Sequence, residues 1–94
     1  MLRAIVIPPE GGILAISLPA DDRLRLTCLQ DLVGGFVEAI RLPHERMMLV
    51  NEEAKLKAHK VNNPATMLAC SCGSIEQNDY IAGVAVVVHT TALN

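Results

Sequence analysis

The sequence predicts an α+β fold: a mostly antiparallel sheet of about five strands, built from two hairpins and a C-terminal central strand, with one main helix and one short helix packed on it. Three observations predict this class. Short β-branched runs are separated by turn residues. Apolar residues recur at spacings of three and four between residues 24 and 33, as in a helix lying on a sheet. A Val-rich segment typical of a strand covers residues 80–89.

The chain begins with a predicted β-hairpin. Residues 3–7 form a β-branched run that ends at two prolines, and two glycines then lead into a second apolar run over residues 13–16. Proline and glycine pairs of this kind mark turns, because they favour conformations that end a strand.

Pro19 is predicted to end the second strand, and the main helix is predicted to follow it. Asp21 or Asp22 can cap it, because a carboxylate there accepts hydrogen bonds from the free N–H groups of the first turn. Gly34 and Gly35 are predicted to end it, since glycine adopts the left-handed conformation of a helix C-cap. The side chains predicted to face the sheet are Leu24, Cys28, Leu29, Leu32 and Val33. Those predicted to face away are Arg23, Arg25, Gln30 and Asp31.

A second hairpin is predicted after this helix. Residues 36–42 alternate between two faces as a third strand, and residues 47–50 return as a fourth strand after a turn. Glu38 lies on the apolar face of the third strand. Because an unpaired buried charge is costly, Glu38 must lie at a sheet edge or find a cationic partner. The candidate partners are Arg3, Arg41 and Lys55.

The rest of the chain predicts a loop, a short helix and a strand. Residues 51–60 are polar and are predicted to form a loop. Asn63 is predicted to be the N-cap of the short helix, with Pro64 at its first helical position. Residues 80–89 are predicted to be the central strand, with Gly83 marking a bulge or a close backbone approach.

Size and composition predict one domain over residues 1–94 that associates with itself. Hydrophobic residues make up 51% of the chain and aromatic residues only 2%, so the core must be aliphatic. A chain of 94 residues buries a smaller share of its surface than a larger one. That much aliphatic surface is hard to hide in a monomer, and a homo-oligomer is expected.

Charge, cysteine content and hydropathy limit the function and location. A net charge of -2 lacks the basic excess of a nucleic-acid-binding protein, so no nucleic-acid partner is expected. Three cysteines cannot all pair within the chain, which favours a reducing cytoplasm. No apolar run is long enough to span a bilayer and no signal-peptide core is visible, so no membrane association is expected.

The thiol and imidazole groups predict neither a metal site nor a catalytic site. Cys70 and Cys72, with Cys28 and three histidines, could supply zinc ligands, but a C-x-C segment lacks the paired C-x₂-C spacing of zinc sites. No nucleophile, base and orienting group can be named together. We therefore predict no metal, no cofactor and no catalytic residues.

Basic side chains after the third strand predict a rim that binds an anion. Arg41, Lys55 and Lys57 belong to a group that could line one side of the second hairpin and the loop that follows it. The competing interpretation is a set of scattered surface lysines. The residues predicted to bind a ligand are Arg41, Asn51, Glu52, Lys55, Lys57 and Asn63.

Three segments carry a resemblance to a known family. L-Q-D-L-V-G-G-F-V-E at residues 29–38, V-N-E-E at residues 50–53 and N-N-P-A-T at residues 62–66 resemble a family of small proteins of unknown function from phages, plasmids and other bacterial mobile elements. The likeness runs from residue 4 to about residue 88. It implies an accessory protein of a phage or mobile element in a bacterial cytoplasm, and it transfers no catalytic residues.

Single positions match or depart from that family. Glu38, Asn51 and Glu52 match its pattern as polar positions. Ala54 stands where the family pattern has Gly, and residues 70–72 depart from it as well, so the resemblance assigns no role to the cysteines.

The sequence thus supports three functional hypotheses. The first is a non-enzymatic, homo-oligomeric binding protein of phage type, a host-defence antagonist that sequesters a nucleotide-derived signalling molecule. The second is a regulatory or inhibitory protein that binds a host protein through a sheet edge. The third is a small enzyme that uses a cysteine or a pair of carboxylates.

Overall fold

A computed structural model describes residues 2–93 as one antiparallel sheet with a helix on each face. The elements in chain order are β1 (Leu2–Ile7), β2 (Leu14–Leu18), α1 (Asp22–Val33), β3 (Val37–Leu42), β4 (Arg46–Asn51), α2 (Asn63–Ser71), β5 (Ala85–His89) and a 3-10 turn (Thr90–Leu93). The strands lie in the order β2-β1-β5-β4-β3, and every neighbouring pair is antiparallel. The predicted α+β class is therefore confirmed. Neither helix in this part of the chain has the length and apolar content that crossing a bilayer requires.

Both predicted hairpins are present. β2 pairs with β1 as far as Leu18, so the second strand ends at Pro19 as predicted. β4 was predicted over residues 47–50 and pairs with β3 from Arg46 to Asn51, one residue further at each end. The pairing extends there because the partner strand still offers backbone groups that can form hydrogen bonds.

The two faces of the sheet carry separate aliphatic cores. Leu49 of β4 packs in the same cluster as Leu29 of α1, whereas its neighbour Met48 packs with Ala65 of α2. Neighbouring residues along a strand point to opposite faces, so α1 and α2 cover opposite sides of the sheet. The single Phe and single Tyr of the chain are both exposed, and the prediction of an aliphatic core is confirmed.

Helix α1 begins and ends where the sequence predicts. The side chain of Asp21 accepts hydrogen bonds from the backbone N–H groups of Arg23 and Leu24, both at 3.0 Å. Gly34 has φ 82° and donates its N–H to the carbonyl of Gln30 at 2.8 Å. The cap residues therefore fix both ends of the helix.

The predicted face of α1 was wrong at two positions. Arg25 is buried, and Leu24, which was predicted to face the sheet, is 61% exposed. Burial of Arg25 is possible because its guanidinium donates to the carbonyl of Ala92 at 2.6 Å and to that of Ala20 at 2.8 Å. It also pairs with the carboxylate of Asp22 at 2.6 Å. These partners replace the water that a buried charge loses.

The predicted N-cap of α2 was wrong by one residue. The side-chain oxygen of Asn62, not Asn63, accepts a hydrogen bond from the N–H of Ala65 at 3.0 Å. Asn63 is the first residue of the helix and is exposed. Asn62 takes the cap because its amide also bonds to two carbonyls in the sheet region, which Asn63 does not reach.

The C-terminal strand is central, as predicted, although it is shorter. β5 lies between β1 and β4, but it begins at Ala85, and residues 80–84 contribute only an isolated bridge between Val61 and Ala82. Gly83 has φ 77°, and Nδ1 of His59 lies 2.8 Å from the position that a Cβ would occupy. The sequence predicted a bulge or a close backbone approach at Gly83, and the group that approaches is the side chain of His59.

Replacing Gly83 with alanine is expected to destabilise the fold by about 2–4 kcal/mol. A left-handed alanine costs about 1–2 kcal/mol, and crowding adds about 1–2 kcal/mol, because the close neighbour is a side chain that can partly shift. The matched control is Gly73→Ala, because Gly73 has φ 70° and a Cβ there would meet nothing within 4 Å. Urea denaturation of both variants isolates the contact with His59, and equal losses would show that this contact carries no cost.

Candidate functional site

A cleft of about 930 Å³ opens on the sheet face that carries α2. Its floor is formed by β3 and the end of β4. Residues 52–56 form one wall, and residues 73–82, which connect α2 to β5, form the other. We call it the β3 cleft. The two walls of this cleft come from chain segments that are far apart in sequence.

Asn51 fixes the start of the first wall. Its side-chain amide donates to the carbonyl of Val33 at 3.2 Å, and its side-chain oxygen accepts from the N–H of Glu53 at 2.8 Å. The residue is buried, and its amide nitrogen lies 2.8 Å from the position a Cβ would take on Gly35. Both polar ends of the side chain are thus used to tie the loop to the end of α1.

An ion pair connects the two walls of the cleft. Nζ of Lys55 lies 2.5 Å from the carboxylate of Asp79 and 4.5 Å from the centre of the Tyr80 ring. The same carboxylate accepts a hydrogen bond from the N–H of Tyr80 at 2.7 Å. The hydrogen bond to Asp79 raises the pKa of Lys55, and the attraction of Asp79, Tyr80 and Glu38 raises it further.

The pKa of Asp79 lies below its ordinary value, first because of the hydrogen bond from Lys55 and then because of the N–H of Tyr80. A lowered carboxylate pKa contributes stability above the ordinary value of about 3.9, and this contribution is lost as the pH falls through the folded-state pKa. The two side chains are 48% and 40% exposed, so the effect on stability is small. An NMR pH titration should therefore show the pKa of Asp79 rising toward its ordinary value in Lys55→Met, while the N–H of Tyr80 still holds it below that value. Lys57→Met is the control, since Lys57 pairs with Glu53 instead.

The β3 cleft carries more negative than positive charge. Its acidic lining residues are Glu38, Glu52, Glu76 and Asp79, and its basic lining residues are Arg41 and Lys55. Glu38 is exposed on edge strand β3, which is one of the two arrangements expected for it. Apolar side chains of Ile40, Val50 and Ile81 complete the floor and wall. The cleft can therefore hold a molecule with both polar and apolar parts.

A family model described as a domain of unknown function, DUF3846, matches residues 2–93, almost the whole chain. The chain belongs to this family. The expected membership of a family of unknown function is thus confirmed, while an origin in a phage or mobile element stays a prediction. Searches of curated proteins and of solved structures found no match to this DUF3846 chain.

The DUF3846 fold brings four of the six predicted ligand residues to one place. Arg41, Asn51, Glu52 and Lys55 all line the β3 cleft, although the side chain of Asn51 is committed to the contacts described above. The two others, Lys57 and Asn63, lie elsewhere.

Lys57 and Asn63 lie outside the β3 cleft. Lys57 lines a shallower depression of about 400 Å³ at the C-terminal end of α1, and its Nζ is 3.6 Å from the carboxylate of Glu53. Asn63 is exposed at the first residue of α2. The single rim that the sequence predicted is therefore divided between separate surfaces of the DUF3846 domain.

The polar lining residues that the sequence did not predict include Glu76, Asp79 and Tyr80. Glu76 and Asp79 belong to a polar stretch that has no periodicity, so no sequence pattern distinguishes it from any solvated loop. Tyr80 was assigned to the predicted strand over residues 80–89, and the one signal for a role in binding was that it is one of only two aromatic residues in the sequence.

The cysteines are distributed over the fold. Cys28 packs against the α1 core and Cys72 is exposed, while Cys70 lines the β3 cleft. The thiol of Cys70 lies 3.7 Å from the backbone carbonyl of Glu76. Across residues 2–93, no three His, Cys, Asp or Glu side chains lie close enough together to hold a metal ion.

Proposed function

We propose that this DUF3846 protein is a non-enzymatic binding module that holds a small polar molecule in the β3 cleft. The observation that carries the proposal is the cleft itself, with its mixed lining and the pair of Lys55 and Asp79 that connects its walls. A concave site with an apolar floor and a few convergent polar groups is the usual form of a small-molecule site. Two distant chain segments meet there, so the site exists only in the folded protein.

The charge of the lining indicates the chemistry of the ligand. Four carboxylates against two cations favour a molecule that offers several hydrogen-bond donors, because carboxylates accept hydrogen bonds. Arg41 and Lys55 leave room for one anionic group rather than for a polyanion. A nucleotide-derived molecule has this mixed character, since its base amines and ribose hydroxyls donate while its phosphate is anionic. This supports a nucleotide-derived ligand.

The proposed role is that of a phage-type accessory protein in the bacterial cytoplasm that sequesters a nucleotide-derived signal and so antagonises host defence. Binding without chemistry is favoured because the one thiol that lines the cleft, on Cys70, contacts a backbone carbonyl. A nucleophilic thiol requires a base within hydrogen-bond reach. Sequestration needs only affinity, which the lining can supply.

Isothermal titration calorimetry with adenosine, AMP and cyclic di-AMP tests the proposal. Arg41→Ala is expected to weaken AMP binding about tenfold while leaving adenosine binding nearly unchanged, because only AMP offers a phosphate. Arg23→Ala is the matched control, since Arg23 is exposed on α1 on the other side of the sheet.

A second pair of variants tests the acidic side of the cleft. Glu52→Gln is expected to weaken adenosine and AMP binding alike, whereas Glu10→Gln, at an exposed position outside the lining, is expected to change neither. The proposal fails if none of the three probes binds and if native mass spectrometry of protein purified from infected cells finds no retained small molecule.

The alternative function is binding of a host protein through a sheet edge. The observation that favours it is the uncharged edge strand β2, whose residues are Leu14–Leu18. A backbone edge of this kind can accept a further strand from another chain. Recovery of one host protein in stoichiometric amount, together with no binding of any nucleotide probe, would favour this function.

A further inference from the structure

Strand β2 is an open and unprotected sheet edge. It pairs with β1 on one side, and on its other side it meets no strand within residues 2–93. Soluble proteins usually protect such edges with charged side chains, because an open row of N–H and C=O groups pairs readily with another chain. The opposite edge, β3, carries Glu38 and Arg41, whereas β2 has no charged residue over Leu14–Leu18.

The sequence of β2 is self-complementary about its central residue. Antiparallel pairing with a second copy centred on Ile16 places Leu14 opposite Leu18 and Ala15 opposite Ser17. Leucine then meets leucine and isoleucine meets isoleucine, with the two small side chains opposite each other. No like charges face each other in this register.

The same register covers apolar surface that is exposed in the single chain. Leu14 is 58% exposed, although its pairing with Val6 of β1 places it on the face of the sheet that carries the α1 core. In the dimer, Leu14 lies beside Leu18 of the second copy, and both side chains are on the sheet face that carries the α1 core. Exposed aliphatic side chains beside an open edge mark an interaction surface.

We propose that two copies of this chain pair β2 to β2 about a two-fold axis at Ile16, which joins their sheets into one ten-stranded antiparallel sheet. A two-fold axis of this kind makes an isologous contact, the commonest arrangement in homo-oligomers. A five-residue strand pair is smaller than a standard interface, so the dimer is expected to be of moderate affinity and to depend on concentration. The inference does not depend on the ligand proposed for the β3 cleft.

Charge placement on β2 tests the register. Ala15 and Ser17 are exposed, and Ser17 pairs with Arg3 of the same chain. In the dimer, residue 15 of each copy faces residue 17 of the other. The double variant Ala15→Glu with Ser17→Glu, called the Glu/Glu variant, puts two pairs of like charges across the axis. Ala15→Lys with Ser17→Glu, called the Lys/Glu variant, puts two pairs of opposite charges there. Both variants carry Ser17→Glu, which places a carboxylate beside Arg3 of the same chain. The effect of that contact is therefore the same in both variants.

Sedimentation velocity gives the dissociation constants when it is measured over a concentration series up to about 100 μM. A dimer with a micromolar dissociation constant is largely formed at that concentration. We expect the wild-type chain to dimerise, the Glu/Glu variant to dimerise about tenfold more weakly or worse, and the Lys/Glu variant to match or exceed the wild type. Circular dichroism melts verify that both variants fold.

Three results would overturn the inference. The first is a wild-type chain that stays monomeric over the whole series. The second is a folded Glu/Glu variant with an unchanged dissociation constant, which would exclude β2 as the contact. The third is a monomer that retains one host protein in stoichiometric amount and loses it in the Glu/Glu variant, which would assign the β2 edge to that partner.

Discussion

Replacing Asn62 with aspartate is expected to destabilise the fold by about 4 kcal/mol, a large part of the roughly 5–15 kcal/mol that holds a typical domain folded. The side-chain nitrogen of Asn62 donates to the carbonyl of Ile7 at 2.7 Å and to the carbonyl of Gly83 at 2.8 Å. The residue is fully buried. Aspartate would face both carbonyls with an oxygen, and burial prevents water from relieving the repulsion.

Two further variants separate the causes of this loss. Asn62→Ala removes the cap on Ala65 and leaves two carbonyls unpaired without adding charge, so a smaller loss of about 2–3 kcal/mol is expected. Asn63→Ala, at the exposed neighbouring position, is expected to change stability by about 0.5 kcal/mol or less. Urea denaturation at neutral pH measures all three. A loss below about 1 kcal/mol for Asn62→Asp would contradict the role given to this side chain.

Arg25→Met is expected to destabilise the fold by about 3 kcal/mol. Methionine keeps much of the apolar stem, but it leaves the carbonyls of Ala92 and Ala20 without the donors at 2.6 and 2.8 Å. The bond to Ala92 also holds the 3-10 turn that follows β5. Amide hydrogen exchange in residues 90–93 is therefore expected to accelerate along with the loss of global stability.

Arg25→Lys and Arg23→Met are the controls for this effect. A lysine ammonium can reach some of the same acceptors but cannot match the planar geometry of the guanidinium, so an intermediate loss is expected. Arg23 is exposed two residues earlier on the same helix, and its replacement should leave the denaturation midpoint nearly unchanged. If Arg25→Met were as mild as Arg23→Met, the buried hydrogen bonds would not stabilise the fold.

The ends of α1 and the two hairpins were predictable because their causes are local. Asp21 caps the helix through N–H groups two and three residues away, and Gly34 ends it through its own positive φ. Alternation of side chains along β3 and β4 likewise depends only on the strand geometry of each segment. Such features can be recognised within a few residues of sequence.

The face of α1 and the cap of α2 were not predictable in this way. Arg25 is stabilised by the carbonyl of Ala92, which is 67 residues away, and without that acceptor Leu24 is the better candidate for burial. Asn62 and Asn63 are the same residue type in adjacent positions. Only the carbonyls of Ile7 and Gly83 distinguish them, and these come from other parts of the chain.

The sequence by itself determined the fold class, the aliphatic core and the two ends of α1, since these follow from periodicity, cap residues and turn residues. The tertiary structure alone decided which polar side chains meet in the β3 cleft. Lys55 and Asp79 are 24 residues apart, and no local pattern links them. The sheet order also decided that uncharged β2 lies at an edge, because strand order depends on how distant segments pair and not on the composition of any one of them.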